Sequence, residues 1–463
     1  MLRPFTVAFA CLTLASASTF AEEPAPPPPP TPQPAPPPND APPASSTPPA
    51  PTSASPPSDD DTKKLLEEIQ AEDKKAGASS STPQEPAGVP DLSKVNIAAG
   101  IPGAASMNPS MSIILDAAGA AFGAARPSRP GSPLADKPLQ TGGHDPTSNG
   151  FTLRQVELSF AANVDPFLRF DSNLVIKDTL EVEEAYATTL DLPWSLQARM
   201  GEFLSKFGRQ NEQHPHAWWF VSQPLVYGQF MGEDDFRGLG AEVSWLSPLP
   251  WPVTFILEAQ DAQGACCART YSPADAPAVI NSPADLVYTG VIEQFFPVTD
   301  DLSVLWGLNA MTGSTPYVAA GARGEIFGTD LLVRYKPVNA PSRWFVELQT
   351  EGLVRTRHDG VVPFSSALDD EGLYAQLVFH PNPEYGGGVR YDWVSNDPLH
   401  DDPASAGLGA NTQRASVVAE YSPTHFSRIQ VELNGGTRGQ GDILWGAMIN
   451  LEVAVGAHGA HAY

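Results

Sequence analysis

The residues with the most evident chemistry lie in one short run, Asn211-Glu212-Gln213-His214-Pro215-His216. Imidazole nitrogen and carboxylate oxygen both suit Zn²⁺. Glu212, His214 and His216 are therefore the candidate metal ligands, with one more ligand to come from elsewhere. Two histidines at this spacing also occur where they only hydrogen-bond a folded loop in place. Trp218, Trp219 and Phe220, which follow, would pack such a loop against a wall. Apart from this Zn²⁺ contact, the sequence implies no cofactor.

Other reactive residues are less grouped. Cys266 and Cys267 are adjacent in a polar Gly/Ala stretch, which rules out a spaced metal site and leaves either a vicinal disulfide or two loop thiols. There is no nucleophile elbow, no His-Glu-x-x-His and no phosphate loop. His380 and His425 fall near turns with no nucleophile beside them, so catalysis is not expected. A formal net charge of −26 without a basic cluster excludes nucleic acid as a partner.

The elements that must position these residues are strands. No run reaches the ~20 apolar residues of a membrane helix. Instead, alternation over about ten residues recurs from Met107 to the end, the pattern of a strand with one apolar face. Ile449, Leu451, Val453 and Val455 oppose Asn450, Glu452, Ala454 and Gly456. Val156, Leu158 and Phe160 oppose Glu157 and Ser159, and Trp344, Val346 and Leu348 oppose Glu347 and Gln349.

Strands are predicted at 109–120, 151–163, 166–177, 179–190, 195–204, 236–246, 251–262, 284–297, 301–312, 323–336, 343–357, 367–379, 384–395, 411–421, 426–435 and 441–455. Every second connection is tight and rich in Pro or Asp, as at Asp165-Pro166 and Pro381-Asn382-Pro383. The intervening ones are mostly long, notably 121–150, 205–235, 263–283 and 396–410. Short periplasmic turns alternating with long outer loops indicate an all-β fold, a transmembrane antiparallel β-barrel of about 16 strands over residues 108–463. The chain is accordingly expected in the outer membrane of a Gram-negative bacterium, with outer-membrane lipid around it.

Lumen charge follows from strand phase. The face opposite the apolar one carries Glu157, Glu242, Glu258, Glu293, Glu347, Glu351, Glu420, Glu432 and Glu452, against Arg169, Arg199, Arg355 and Arg390. Some acids should pair with the arginines. The excess favours cations and disfavours phosphate, which needs a ladder of basic groups. The His-bearing connection is the third outer loop, which in large porins folds inward and narrows the lumen.

The N-terminal part reads differently. Arg3 precedes the apolar run Val7 to Ala17, and Thr19-Phe20-Ala21 closes a signal peptide at residues 1–21. Between Pro24 and Pro57 lie 18 of the 49 prolines, so residues 22–60 form a disordered Pro-rich arm. In the polyproline II form it would reach roughly 100 Å at ~3.1 Å per residue, enough to contact the cell wall. One short helix is expected at 61–76, where Leu65, Leu66 and Ile69 form a narrow stripe. It reads either as a trimeric coiled coil, giving a homotrimer, or as a transient helix ahead of a linker at 77–107. His458 and His461 belong to the periplasmic rim.

Four stretches carry a family resemblance: Phe151 to Pro166 (FTLRQVELSFAANVDP), Gly201 to Pro224 (GEFLSKFGRQNEQHPHAWWFVSQP), Leu239 to Trp251 (LGAEVSWLSPLPW) and Gly456 to Tyr463 (GAHGAHAY). They resemble outer-membrane proteins related to phosphate-selective porins, a group often labelled zinc-regulated TonB-dependent receptors. True TonB-dependent receptors have 22 strands and a folded plug domain, which this arm has no core to make. The resemblance implies that the terminal aromatic, Tyr463, is an assembly signal for the barrel assembly machinery. The expected function is passive diffusion of small hydrophilic solutes through a weakly cation-preferring porin. The alternatives are a receptor that captures or takes up zinc at the third outer loop, and a cell-wall tether.

Overall fold

The computed structural model describes residues 109–124, 139–177, 179–264, 266–272, 279–315, 322–340, 342–358, 367–396, 411–438 and 443–456. The expected signal peptide, Pro-rich arm, helix at 61–76 and linker, together with His458, His461 and Tyr463, lie outside them.

Sixteen antiparallel strands close into a barrel in sequence order, with the first paired to the last through Ala118 and Asn450. They are β1 (Ser110–Ala124), β2 (Gly150–Asn163), β3 (Leu168–Ile176), β4 (Leu180–Thr189), β5 (Leu196–Leu204) and β6 (Arg237–Leu246). Next come β7 (Val253–Gln260), β8 (Val287–Pro297), β9 (Leu302–Ser314), β10 (Arg323–Tyr335) and β11 (Phe345–His358). The last five are β12 (Ala367–Asn382), β13 (Tyr385–Val394), β14 (Thr412–Thr424), β15 (Ser427–Arg438) and β16 (Ile443–Gly456).

Each strand sits where alternation placed it, because period-two side chains leave one face for lipid and one for the interior. On β16, Ile449, Leu451 and Val455 are exposed on the outer wall, while Asn450 and Glu452 are buried inside. On β11, Leu348 and Val354 face out, and Glu347, Gln349 and Glu351 face in.

The short turns are built from the residues that flagged them. Asp165 accepts hydrogen bonds from the backbone of Phe167 (2.7 Å) and Leu168 (2.8 Å). Asn382 does the same for Glu384 and Tyr385. Around this rim aromatic rings pair outside the barrel, as in Trp245 with Phe255, Trp251 with Phe296, Trp344 with Phe379 and Tyr385 with Tyr421. Such a girdle marks a membrane–water boundary. The closed wall, apolar outside with an aromatic girdle, is that of an outer-membrane barrel. The outer connection between β3 and β4 is short, residues 177–179 alone, in keeping with the predicted strands at 166–177 and 179–190.

Two bulges change what faces inward. Asp116 pairs with Gln155 and Ala117 with Leu153, so Arg154 is an extra residue in β2. Asn173 pairs with Glu184 and Leu174 with Val182, so Glu183 is extra in β4. Arg154 and Gln155 are in consequence both buried, as are Glu183 and Glu184. Strict alternation would have turned one of each pair to lipid.

Candidate functional site

The connection between β5 and β6, residues 205–236, folds into the barrel and reaches its wall on all sides. It contains no strand: turns at 208–212 and 233–234 and a tight turn at Pro215–Ala217 accompany one helix, α1 (Leu225–Phe230), whose six residues are all buried. Sequence patterning did not reveal this helix, since six residues make fewer than two turns and cannot show a repeat. Phe207, Tyr227, Phe230, Met231 and Phe236 pack against Ile326, Leu353, Tyr374 and Val394 of the wall. Lower down, Phe220 and Trp219 meet Val378 and Val418. Burying an aromatic or branched side chain contributes about 1.5–3 kcal/mol, so this interior is a packed core. The segment is a plug.

An irregular segment inside a barrel has backbone groups with no ladder to satisfy them. The wall satisfies them instead. Arg154 donates to the carbonyl of Val221 (2.9 Å), Arg390 to Ser222 (2.7 Å) and Arg414 to Gln223 (2.6 Å). Arg428 donates to Trp218 (3.1 Å) and Arg355 to Gln229 (3.1 Å). Carboxylates take the N–H groups: Glu258 accepts from Lys206 (2.9 Å), Glu351 from Arg209 (3.1 Å) and Gln210 (2.8 Å), and Glu432 from Ser222 (3.0 Å). Asp392 accepts from Leu225 at 3.1 Å. Gly208, at φ +69°, lets the backbone pass directly beside Glu351 and Tyr227, where a Cβ would collide with both.

The sequence-predicted lumen residues are thus inward, as their phase required, but most do not line water. Glu157, Glu242, Glu258, Glu347, Glu351, Arg355, Arg390 and Glu452 are buried. This corrects the expectation of a water-lined acidic wall, and the cause is the plug they hold. Glu347 binds the indole of Trp219 (2.8 Å) and Arg334 (2.7 Å). Arg355 pairs with Asp370 at 2.6 Å, Arg390 with Asp392 at 3.0 Å, and Glu452 with Arg428 at 2.6 Å. Arg199 pairs with Glu242 and lies 4.2 Å above the ring of Phe203. Arg169 alone of the set is largely exposed, paired with Asp171 at 2.7 Å. Arg414 and Arg428 were missed, although both sit at inward phase. Arg154, Glu183 and Glu184 were missed because bulges break that phase.

The candidate metal residues separate. Glu212 pairs with Lys206 and not with the histidines. His214 and His216 stack with ring centroids 5.6 Å apart. His214 Nδ1 lies 3.0 Å from Glu183, its Nε2 lies 2.9 Å from Glu184, and His216 Nδ1 lies 2.9 Å from Glu157. Burial would lower the His214 pKa, but Glu183 and Glu157 outweigh it and raise that pKa well above the usual imidazole value. Cys266 and Cys267 form a vicinal disulfide, which removes their sulfurs as thiolate ligands. Their backbone carbonyls instead accept from Asp234 (2.8 Å) and Arg237 (3.1 Å), so the β7–β8 connection clasps the end of the plug.

No model of a known protein family matches the chain. An uncharacterized protein of Aquifex aeolicus is 32% identical over a match of 314 residues that covers 63% of this chain and 66% of that relative. Among solved structures, the chain is similar to an anion-selective porin from Comamonas acidovorans, with a TM-score of 0.48 and 10% identity, over 75% of this chain and 99% of that one. It is also similar to the outer-membrane channel DcaP of Acinetobacter baumannii, with a TM-score of 0.45 and 14% identity, over 75% and 96%.

Proposed function

We propose that this protein is a porin-like channel for passive diffusion of small hydrophilic solutes across the outer membrane, throttled by the 205–236 plug. The observation that carries the reading is the way the plug is held. It is a connection tethered at both ends inside a barrel of porin size, fastened to the wall by hydrogen bonds that water can replace as well as by apolar packing. Sixteen strands enclose an aqueous channel unless something fills it. The resemblance to phosphate-selective porins agrees with a channel, whereas the charge balance argues against phosphate as solute. Among the described residues, buried carboxylates outnumber buried guanidinium groups, so a shift of the plug hydrates a net acidic wall and gives a weak cation preference. The reading is non-catalytic. His380, one of two histidines near the turn rim, is stacked on Phe345 at 4.6 Å.

The test is conductance of the full chain in planar bilayers under a salt gradient. Small ohmic steps with a cation-selective reversal potential are expected, with larger steps in variants that loosen the plug. Silence in both the wild type and a loosened variant would refute the channel. A second reading, metal capture, is favoured by the position of His214 between Glu183 and Glu184.

A further inference from the structure

We propose that Glu157 on β2, Glu183 on β4 and His214 of the plug form a site for a divalent transition-metal ion of the Zn²⁺ type, which fastens the plug to the wall. Its consequence for conduction rests on the channel reading above.

The donor atoms are already gathered. One ligand atom from each of the three residues lies within 4.8 Å of the other two. His214 Nδ1 is 3.0 Å from Glu183 Oε2 and 4.0 Å from Glu157 Oε2. Bonds of about 2.0–2.2 Å in tetrahedral geometry set ligand atoms roughly 3.4 Å apart, so small side-chain shifts suffice. His216 Nδ1 is 2.9 Å from the same Glu157 oxygen but lies outside the three-residue cluster, so it would have to shift to become a fourth ligand. Beside Glu183 and His214 there is a cavity of about 10 Å³, also lined by Asp234 and Asp235.

The surroundings have the form that metal-binding imidazoles require. The far nitrogen of a ligating histidine is normally held by a carboxylate, which fixes the tautomer and turns the other lone pair to the metal. Glu184 stands 2.9 Å from His214 Nε2 and fills that role. The bulge in β4 makes this possible, because it brings Glu183 and Glu184 to the same side, one for each ring nitrogen.

Charge points the same way. Glu157, Glu183 and Glu184 are all buried, and the guanidinium of Arg237 comes only to 3.8 Å from Glu183. A divalent cation would neutralise two of the three negative charges directly. Mixed imidazole and carboxylate donors select zinc-like ions over Mg²⁺, which prefers octahedral oxygen.

The site differs from the one its sequence suggests. Glu212 is replaced by Glu157 and Glu183, so a metal here bridges plug and barrel and is not held within the loop.

The experiment is titration of the folded full chain with ZnCl₂ and, separately, MgCl₂ by calorimetry, followed by conductance in planar bilayers. One saturable Zn²⁺ equivalent is expected, with no response to Mg²⁺. His214→Ala and Glu183→Gln should each weaken Zn²⁺ at least 100-fold, and Glu184→Gln roughly 10- to 100-fold. Tetrahedral absorption bands with CoCl₂ on the wild type provide a readout that does not depend on any variant folding. No saturable Zn²⁺ uptake, no tetrahedral Co²⁺ bands, or unchanged affinity in heat-modifiable His214→Ala would overturn the site. Zn²⁺ should also lower conductance. Binding that leaves a measurable conductance untouched would overturn the fastening role. A channel insensitive to Zn²⁺ because none binds would overturn the site and leave the channel reading standing.

Discussion

The carboxylate of Glu351 on β11 accepts a hydrogen bond from the phenol of Tyr227 on α1 at 2.5 Å, tying the middle of the plug to the far wall of the barrel. The same carboxylate also takes the backbone N–H groups of Arg209 and Gln210 and the phenol of Tyr374. Glu351→Gln turns one acceptor oxygen into a donor facing other donors. A loss of about 1–3 kcal/mol is expected. Urea unfolding in detergent should show it, and conductance in planar bilayers should rise.

The strands were legible in the sequence because a lipid-facing wall forces alternation and tight turns demand Pro, Asp or Asn. The interior was harder to read. Inward Ile326, Leu353, Val378 and Val418 break the polar face, and their reason is the plug they pack against. Such residues signal a filled lumen only once the partner segment is known. The pairing of His214 with Glu183 and Glu184 was hidden for a different cause. A bulge shifts phase by one residue, and alternation has no means of locating it. The acids of the third connection misled for their nearness: Glu212 adjoins the histidines in sequence but reaches Lys206 in space.

Arg414 on β14 is fully buried, pairs with Asp392 at 3.2 Å and donates to the carbonyls of Leu139 and Gln223. Removing one partner of a buried ion pair leaves uncompensated charge, so Arg414→Met should destabilise by about 3–5 kcal/mol. Arg169→Gln breaks a solvent-exposed pair and should cost no more than about 1 kcal/mol. Heat-modifiability on gels, run side by side, should separate the two. Equal behaviour would show that the interior is not packed as described.

Leu433, halfway along β15, is exposed on the outer wall opposite Val417 of β14. Leu433→Arg places a cation against hydrocarbon and should destabilise by about 2–4 kcal/mol near the bilayer midplane. Refolding into lipid vesicles at graded urea concentrations measures this cost. A neutral outcome would mean that this face does not meet lipid.

Selectivity should reside in the inward acids that still reach water and not in those that brace the plug. Glu293 on β8 is inward and only partly buried, whereas Glu347 is buried between Trp219 and Arg334. A carboxylate in contact with water attracts cations along the path, while one already matched by a guanidinium adds little field. Glu293→Gln should therefore move the reversal potential toward zero and leave urea stability unchanged. Glu347→Gln should instead lower stability by about 1–3 kcal/mol, because it weakens hydrogen bonds to a charged partner, and should barely alter selectivity. Both variants are read in the same salt gradient. The opposite assignment, with selectivity following Glu347 and stability following Glu293, would mean that the conducting path runs along the β10–β12 side and that the plug is held elsewhere.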